Sequence, residues 1–205
     1  MYSSLMRALI LLLCLGPLSA WAEKPSLVVL GDSLSAAYNI NPELAWPKLL
    51  QVRLPNYQLV NRSISGATTA QGLALLPESL KQHTPAIVLL ELGANDGLQG
   101  KPLGLIEDNL SQLITQIKAS GSQVLLIGIR LPPNMGRRYT EGFYAIYPRL
   151  AQRHHIPLVP FLLEGVATES DLMQADGLHP KENAQAKLLE NIWPHLSPLL
   201  VAAKP

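Results

Sequence analysis

One cysteine, two phenylalanines and three tryptophans in 205 residues, with charged side chains at 15%, make this a chain poor in thiols, in aromatic surface and in charge. Each scarcity excludes something. Cys14 lies within the first 22 residues, so a chain shortened by that segment forms no disulfide and depends on a packed core. The formal charge is +1, with 16 basic and 15 acidic residues and no basic run, which favours neither nucleic acid nor an anionic membrane surface as a partner. The sequence contains no Gly-x-Ser-x-Gly, no His-Glu-x-x-His, no phosphate loop and no dinucleotide fingerprint. The nucleophile elbow of the α/β-hydrolases, a zinc-protease site and nucleotide cofactors are thereby excluded, and no metal or cofactor is expected. The longest apolar run, Ala8 to Leu15, is too short to span a bilayer.

That run has another use. Arg7 precedes it, Gly16-Pro17 breaks it, and Ala20-Trp21-Ala22 offers a small-x-small cleavage site, the pattern of a secretory signal peptide over residues 1–22. Cys14 sits inside the apolar run after Leu13, where a lipid-modified cysteine would follow a small residue. Cleavage would remove Arg7 and no acid, leaving residues 23–205 with a formal charge of zero and no stable membrane anchor. The expected location is the periplasm, or beyond it if the protein is secreted. With 48% hydrophobic residues, 23–205 read as one domain with a sizeable core.

Ser26 to Leu30 is apolar and β-branched enough for a buried strand, and Gly31-Asp32 is turn chemistry that ends it. Ser33 therefore stands just past the carboxyl end of a strand, where open α/β sheets bind ligands. Taken alone, Ser33 or Ser35 also fits the N-cap of a following helix. Further strands are expected at 58–60, 86–92, 123–129 and 157–159. Helices are expected at 43–54 behind Pro42, at 71–82 with an interruption at Pro77, at 105–119 before Gly121, at 139–154 and at 183–196. Strands alternating with helices at this spacing predict βαβ units: a three-layer α/β/α sandwich around a five-stranded parallel sheet of flavodoxin-like order. Loops at 31–35, 61–69, 93–97 and 130–137 then share one edge of that sheet.

A serine hydroxyl becomes a useful nucleophile when a histidine, oriented by an acid, accepts its proton. Of the five histidines, His179 has the right neighbour: in Asp176-Gly177-Leu178-His179 a carboxylate three residues back can accept Nδ1–H and leave Nε2 free. The segment also reads as a capped surface turn. His83, His154, His155 and His195 sit near expected helix ends without an acid at comparable spacing. Candidate donors for a developing oxyanion are the Ser33 N–H, the Gly66 N–H and the Asn95 side-chain amide, although Gly66 and Asn95 also suit ordinary turns.

Together these blocks resemble the SGNH, or GDSL, hydrolase family: Gly31-Asp32-Ser33-Leu34-Ser35, Ser63-Ile64-Ser65-Gly66, Gly93-Ala94-Asn95-Asp96-Gly97 and Asp176-Gly177-Leu178-His179-Pro180. Val60-Asn61, Arg130-Leu131-Pro132, Gly136-Arg137-Arg138-Tyr139 and Ala145-Ile146-Tyr147-Pro148 are similar to one subgroup, bacterial periplasmic thioesterases that are also lysophospholipases and arylesterases. Ala67 and Ala94 depart from it, where an acid and a second glycine would be expected. The resemblance implies a serine hydrolase with Ser33, Asp176 and His179 as triad and Ser33, Gly66 and Asn95 as oxyanion hole. The expected substrates are small-molecule acyl esters or thioesters of medium to long chain, and the expected state is a monomer.

The same resemblance makes Gly72, Leu73, Leu75, Leu76 and Pro77 a mobile flap along an acyl groove, where periodicity alone equally allows a core-facing helix stripe. Pro133, Asn134 and Met135 would form the opposing wall. Two other readings are an O-acetyl esterase acting on carbohydrate, for which 5% aromatic residues is thin provision, and a periplasmic binding or chaperone-like protein without turnover.

Overall fold

In the computed structural model, which describes residues 24–202, five parallel strands run in the order β2-β1-β3-β4-β5. They are β1 (Ser26–Gly31), β2 (Gln58–Asn61), β3 (Ile87–Glu91), β4 (Gln123–Ile127) and β5 (Leu158–Val159). The expected signal peptide lies outside the described residues. Every residue of β1 and β3 is buried, as strands covered on both faces must be, and their composition is correspondingly continuous in Val, Leu and Ile. Leu27 pairs with Ile87 and Gly31 with Glu91, so both central strands end level with each other.

Helices α1 (Trp46–Arg53) and α7 (Gln185–Ala202) pack together, as do α2 (Thr69–His83), α4 (Leu103–Ala119) and α6 (Ile146–His154) in a row, and the sheet lies between the two groups. The architecture is thus the expected three-layer α/β/α sandwich. Its core takes Leu27, Val29, Leu89 and Leu125 from the sheet, Trp46 from α1 and Leu113 from α4, all buried.

Local chemistry moved several boundaries. Residues 42–44 form a 3-10 turn and α1 begins only at Trp46, because Pro47, lacking an N–H, fits the first turn of a helix and not its interior. Its first residue is pinned from afar: the Trp46 amide donates to Gln185 Oε1 at 3.0 Å and the indole N–H to the Leu34 carbonyl at 3.1 Å. Helix α2 continues through Pro77, held at its start by a capping box between Thr68 and Gln71. The helix expected over 139–154 is two, α5 (Arg137–Tyr144) and α6, since Pro148 can neither donate to the Tyr144 carbonyl nor tolerate it close by. The 93–97 turn is a short helix, α3 (Ala94–Leu98), entered through Gly93 at φ +119°. It is tied down by Asp96, which accepts from the Thr69 amide at 2.7 Å and the Thr69 hydroxyl at 2.9 Å.

Candidate active site

Past β1 the chain turns at once. Asp32 is wholly buried; its carbonyl accepts from the amides of Ser35 (3.2 Å) and Ala36 (2.9 Å), and its Oδ1 from the amide of Leu34 (3.1 Å). No regular helix follows, because Ala37 and Asn39 take φ values of +61° and +53°. Ser33 and Ser35 are therefore not helix caps: Ser35 turns inward to Glu91 and Ser33 projects at the turn's tip.

Opposite Ser33 stands the loop before α7. Gly177 takes φ +66°, a left-handed turn that brings Asp176 and His179 together. Asp176 Oδ1 accepts from the amides of Leu178 (2.9 Å) and His179 (3.0 Å), and its Oδ2 lies 2.7 Å from His179 Nδ1. Partial burial acts to raise the Asp176 carboxyl, but the Leu178 amide, the imidazole and the His179 amide outweigh it and hold the group below its usual range. An ionised Asp176 can only accept, so it fixes the proton on Nδ1 and presents Nε2 as a lone pair. That nitrogen is 2.8 Å from Ser33 Oγ. Tyr38 packs on the imidazole with ring centroids 4.4 Å apart, a contact between residues far apart in the chain that no local pattern marks.

The three oxyanion candidates border the same space. Among the described residues neither the Ser33 nor the Gly66 amide has an acceptor. Gly66 sits at φ +81° with open space where a Cβ would be, so it is the backbone conformation that suits glycine there. Asn95 Nδ2 donates to the Ala67 carbonyl at 3.0 Å and to Asp32 Oδ2 at 3.2 Å. Both partners accept only, which settles which end of the amide faces them. Ala67, which departs from the family pattern, supplies this contact through its main chain.

These groups open onto a cavity of about 290 Å³ whose other walls are mainly apolar: Leu98, Ile129, Leu131, Pro132, Leu163 and Leu178, with Arg130 as the cation in the lining. The expected substrate-binding residues are elsewhere. Gly72 and Leu76 are buried, Leu73 and Leu75 lean on the core and Pro77 faces solvent; none of the five lines the cavity. The cause is packing: α2 lies against β1 and α4, and a Cβ on Gly72 would meet Leu92 and Leu113. The opposing wall is likewise shifted, to Arg130, Leu131 and Pro132. Pro133 and Asn134 are exposed on a 3-10 turn beyond it, and Met135 packs inward. Leu98, one helical turn past Asn95, and Leu178, between the acid and the base, could have been inferred from position; Leu163 carries no such signal. Among the described residues no group of three His, Cys, Asp or Glu side chains is placed to hold a metal ion.

Known proteins resemble this chain over most of their length. The chain is 48% identical over 201 residues to the esterase TesA of Pseudomonas aeruginosa, covering 95% of this chain and 100% of that one. It is 50% identical over 187 residues to an arylesterase of Vibrio mimicus (89% and 92%). To the thioesterase 1/protease 1/lysophospholipase L1 of Escherichia coli it is 47% identical over 180 residues (87% and 86%). Among solved structures, TesA superposes with a TM-score of 0.83 over 85% of this chain and 99% of its own at 48% identity. The psychrotrophic esterase EstA of a Pseudoalteromonas species, inhibited by monoethylphosphonate, gives 0.82 over 86% and 98% at 37%. Residues 29–187 match the GDSL-like Lipase/Acylhydrolase family, and the chain belongs to it.

Proposed function

We propose that this chain hydrolyses carboxylic esters and thioesters of medium to long acyl chains through an acyl-enzyme on Ser33. The observation that carries the reading is the line Ser33 Oγ, His179 Nε2, His179 Nδ1, Asp176 Oδ2, with separations of 2.8 and 2.7 Å, at the mouth of an apolar cavity. Ser33 Oγ adds to the substrate carbonyl carbon while His179 Nε2 takes the hydroxyl proton, and Asp176 stabilises the imidazolium that results. The oxygen that becomes negative is received by the Ser33 and Gly66 amides and by the Asn95 side-chain amide, which Asp32 and the Ala67 carbonyl orient. His179 returns its proton to the departing alcohol or thiol. Water, deprotonated by the same nitrogen, then releases the acid and restores Ser33.

The names of the relatives support the breadth of this reading: esterase, arylesterase, thioesterase and lysophospholipase. The apolar walls support an acyl chain over a sugar ring as the group held. All three triad groups come from one chain, which supports action as a monomer. The pattern of residues 1–22 supports export to the periplasm. Among the described residues no helix is long and apolar enough to cross a membrane.

The test is hydrolysis of p-nitrophenyl esters from acetyl to palmitoyl, with an acyl-CoA series in parallel, by the wild type and Ser33→Ala. Activity that rises toward medium or long chains and disappears in Ser33→Ala is the expected result. Cleavage of the acetyl ester alone would favour the carbohydrate O-acetyl esterase reading. Absence of turnover together with failure of a fluorophosphonate to label Ser33 would leave a binding protein.

A further inference from the structure

Glu91 is a buried ionisable group that the mechanism does not use. It closes β3, is fully buried, and lies in register beside Gly31 at the foot of the Ser33 turn. Its Oε2 accepts from the Asp32 amide at 3.1 Å and the Ser35 hydroxyl at 2.7 Å. A Cβ on residue 31 would stand 2.7 Å from that oxygen, so glycine is what admits the carboxyl here. Glu91 Oε1, also buried, has no hydrogen-bond donor among the described residues.

An ionised carboxylate can only accept, and leaving one of its oxygens dry and unpaired forfeits hydration that nothing replaces. A carboxylic acid in the same position has a proton to give. Asp32, whose own amide already donates to Oε2, carries the neighbouring carboxylate that can accept it; the other contacts of that carboxylate are the Leu34 amide and Asn95 Nδ2. We propose that Glu91 is a protonated positioning residue: its Oε1–H donates to the Asp32 carboxylate, and Asp32 in turn holds both the Ser33 turn and the Asn95 amide.

Electrostatics agree with this arrangement. Burial and the neighbouring Asp32 charge push the Glu91 carboxyl well above its usual range, while burial lifts Asp32 to about 6. Two carboxyls so close share one proton at neutral pH. One negative charge rather than two then lies behind the oxyanion hole, where a second would oppose the charge that forms during acyl transfer. The other titratable groups around the pair are His179, which faces Asp32 and favours its ionised form, and Tyr147 of α6, whose phenol is held neutral first by burial and then by the acids nearby.

Glu91→Leu and Glu91→Gln separate this role from mere packing. The amide of the glutamine variant accepts where Oε2 accepts and donates where the acid donates, so it reproduces the protonated side chain alone. Glu91→Leu is expected to lower kcat about tenfold or more with KM little changed, and Glu91→Gln to restore kcat to within about threefold. Wild-type kcat/KM is expected to decline at alkaline pH as Glu91 loses its proton, and in Glu91→Gln that decline is expected at higher pH or not at all. A glutamine variant as impaired as the leucine variant, or a leucine variant as active as wild type, overturns the proposal.

Infrared spectroscopy of wild type and Glu91→Gln needs neither substrate nor the leucine variant. A protonated-carboxyl carbonyl band is expected at neutral pH in the wild type and absent in the glutamine variant, and a wild type without the band overturns the proposal. The kinetic arm rests on the hydrolase reading. If the wild type turns over no ester, that reading fails and the infrared band alone decides the role of Glu91.

Discussion

His179 and Ser33 meet at 2.8 Å although 146 positions separate them, so the proposed chemistry depends on a contact that no local segment contains. His179→Ala is expected to lower kcat at least about a thousandfold with the fold retained, measured by ester hydrolysis beside circular dichroism. Asn95→Ala removes one oxyanion donor and is expected to cost about a hundredfold in kcat; a change confined to KM would count against that role. These residues were legible because each stands beside a turn signal at a strand end, or within reach of an acid in sequence. Glu91, Tyr38 and Leu163 were not. Glu91 looks like one more residue of an apolar strand, and its partners come from residues 32 and 35; the available signal was a glutamate ending a strand buried on both faces. Tyr38 reaches His179 only because two left-handed residues flank it.

At the level of elements, periodicity located the helices but could not say which face each presents to what. The stripe on α2 illustrates this: spacing alone allowed either a flap or a core face, and Leu76 proves fully buried. Leu76→Ala is therefore expected to cost about 2 to 5 kcal/mol in denaturant unfolding while leaving KM for long-chain esters nearly unchanged. Leu98→Ala, on the cavity wall, should do the reverse, raising KM for long chains more than for acetyl esters. The row of α2, α4 and α6 is fastened at one side by Glu107 of α4, which accepts from Arg149 at 2.6 Å and Arg153 at 2.8 Å of α6. Those bonds, with that from Arg149 foremost, hold the Glu107 carboxyl below its usual range. A lowered carboxyl stabilises above its unfolded-state pKa and ceases to as pH falls through the folded one. Glu107→Ala is accordingly expected to cost about 1 kcal/mol near neutral pH, less in high salt, and nothing in strong acid.

For the whole molecule, alternation of strand and helix implied the strand order correctly, because right-handed crossovers leave few ways to lay five parallel strands in a chain this long. Prolines were the main source of error in boundaries: Pro47 and Pro148 set helix starts that periodicity ran across. The molecule's response to pH has the sign set by its buried acids. Asp32 is raised to about 6, so the folded state binds more protons than the unfolded one above its ordinary pKa, and folding stability falls as pH rises through that interval. Glu91, also raised well above its usual range by burial and the Asp32 charge, adds to the fall. The melting temperature is thus expected to drop by several degrees between about pH 5 and about pH 8. A melting temperature that rose across that range would contradict the burial of this pair. Contacts between distant segments have a consequence in time. Trp46 is bound to Gln185, Asn41 to Glu182 and Tyr57 to the Leu200 carbonyl, so the first helix is secured by the last. On the proposed chemistry, a growing chain therefore carries Ser33 without its base until the later loop bearing Asp176 and His179 has been made and has docked.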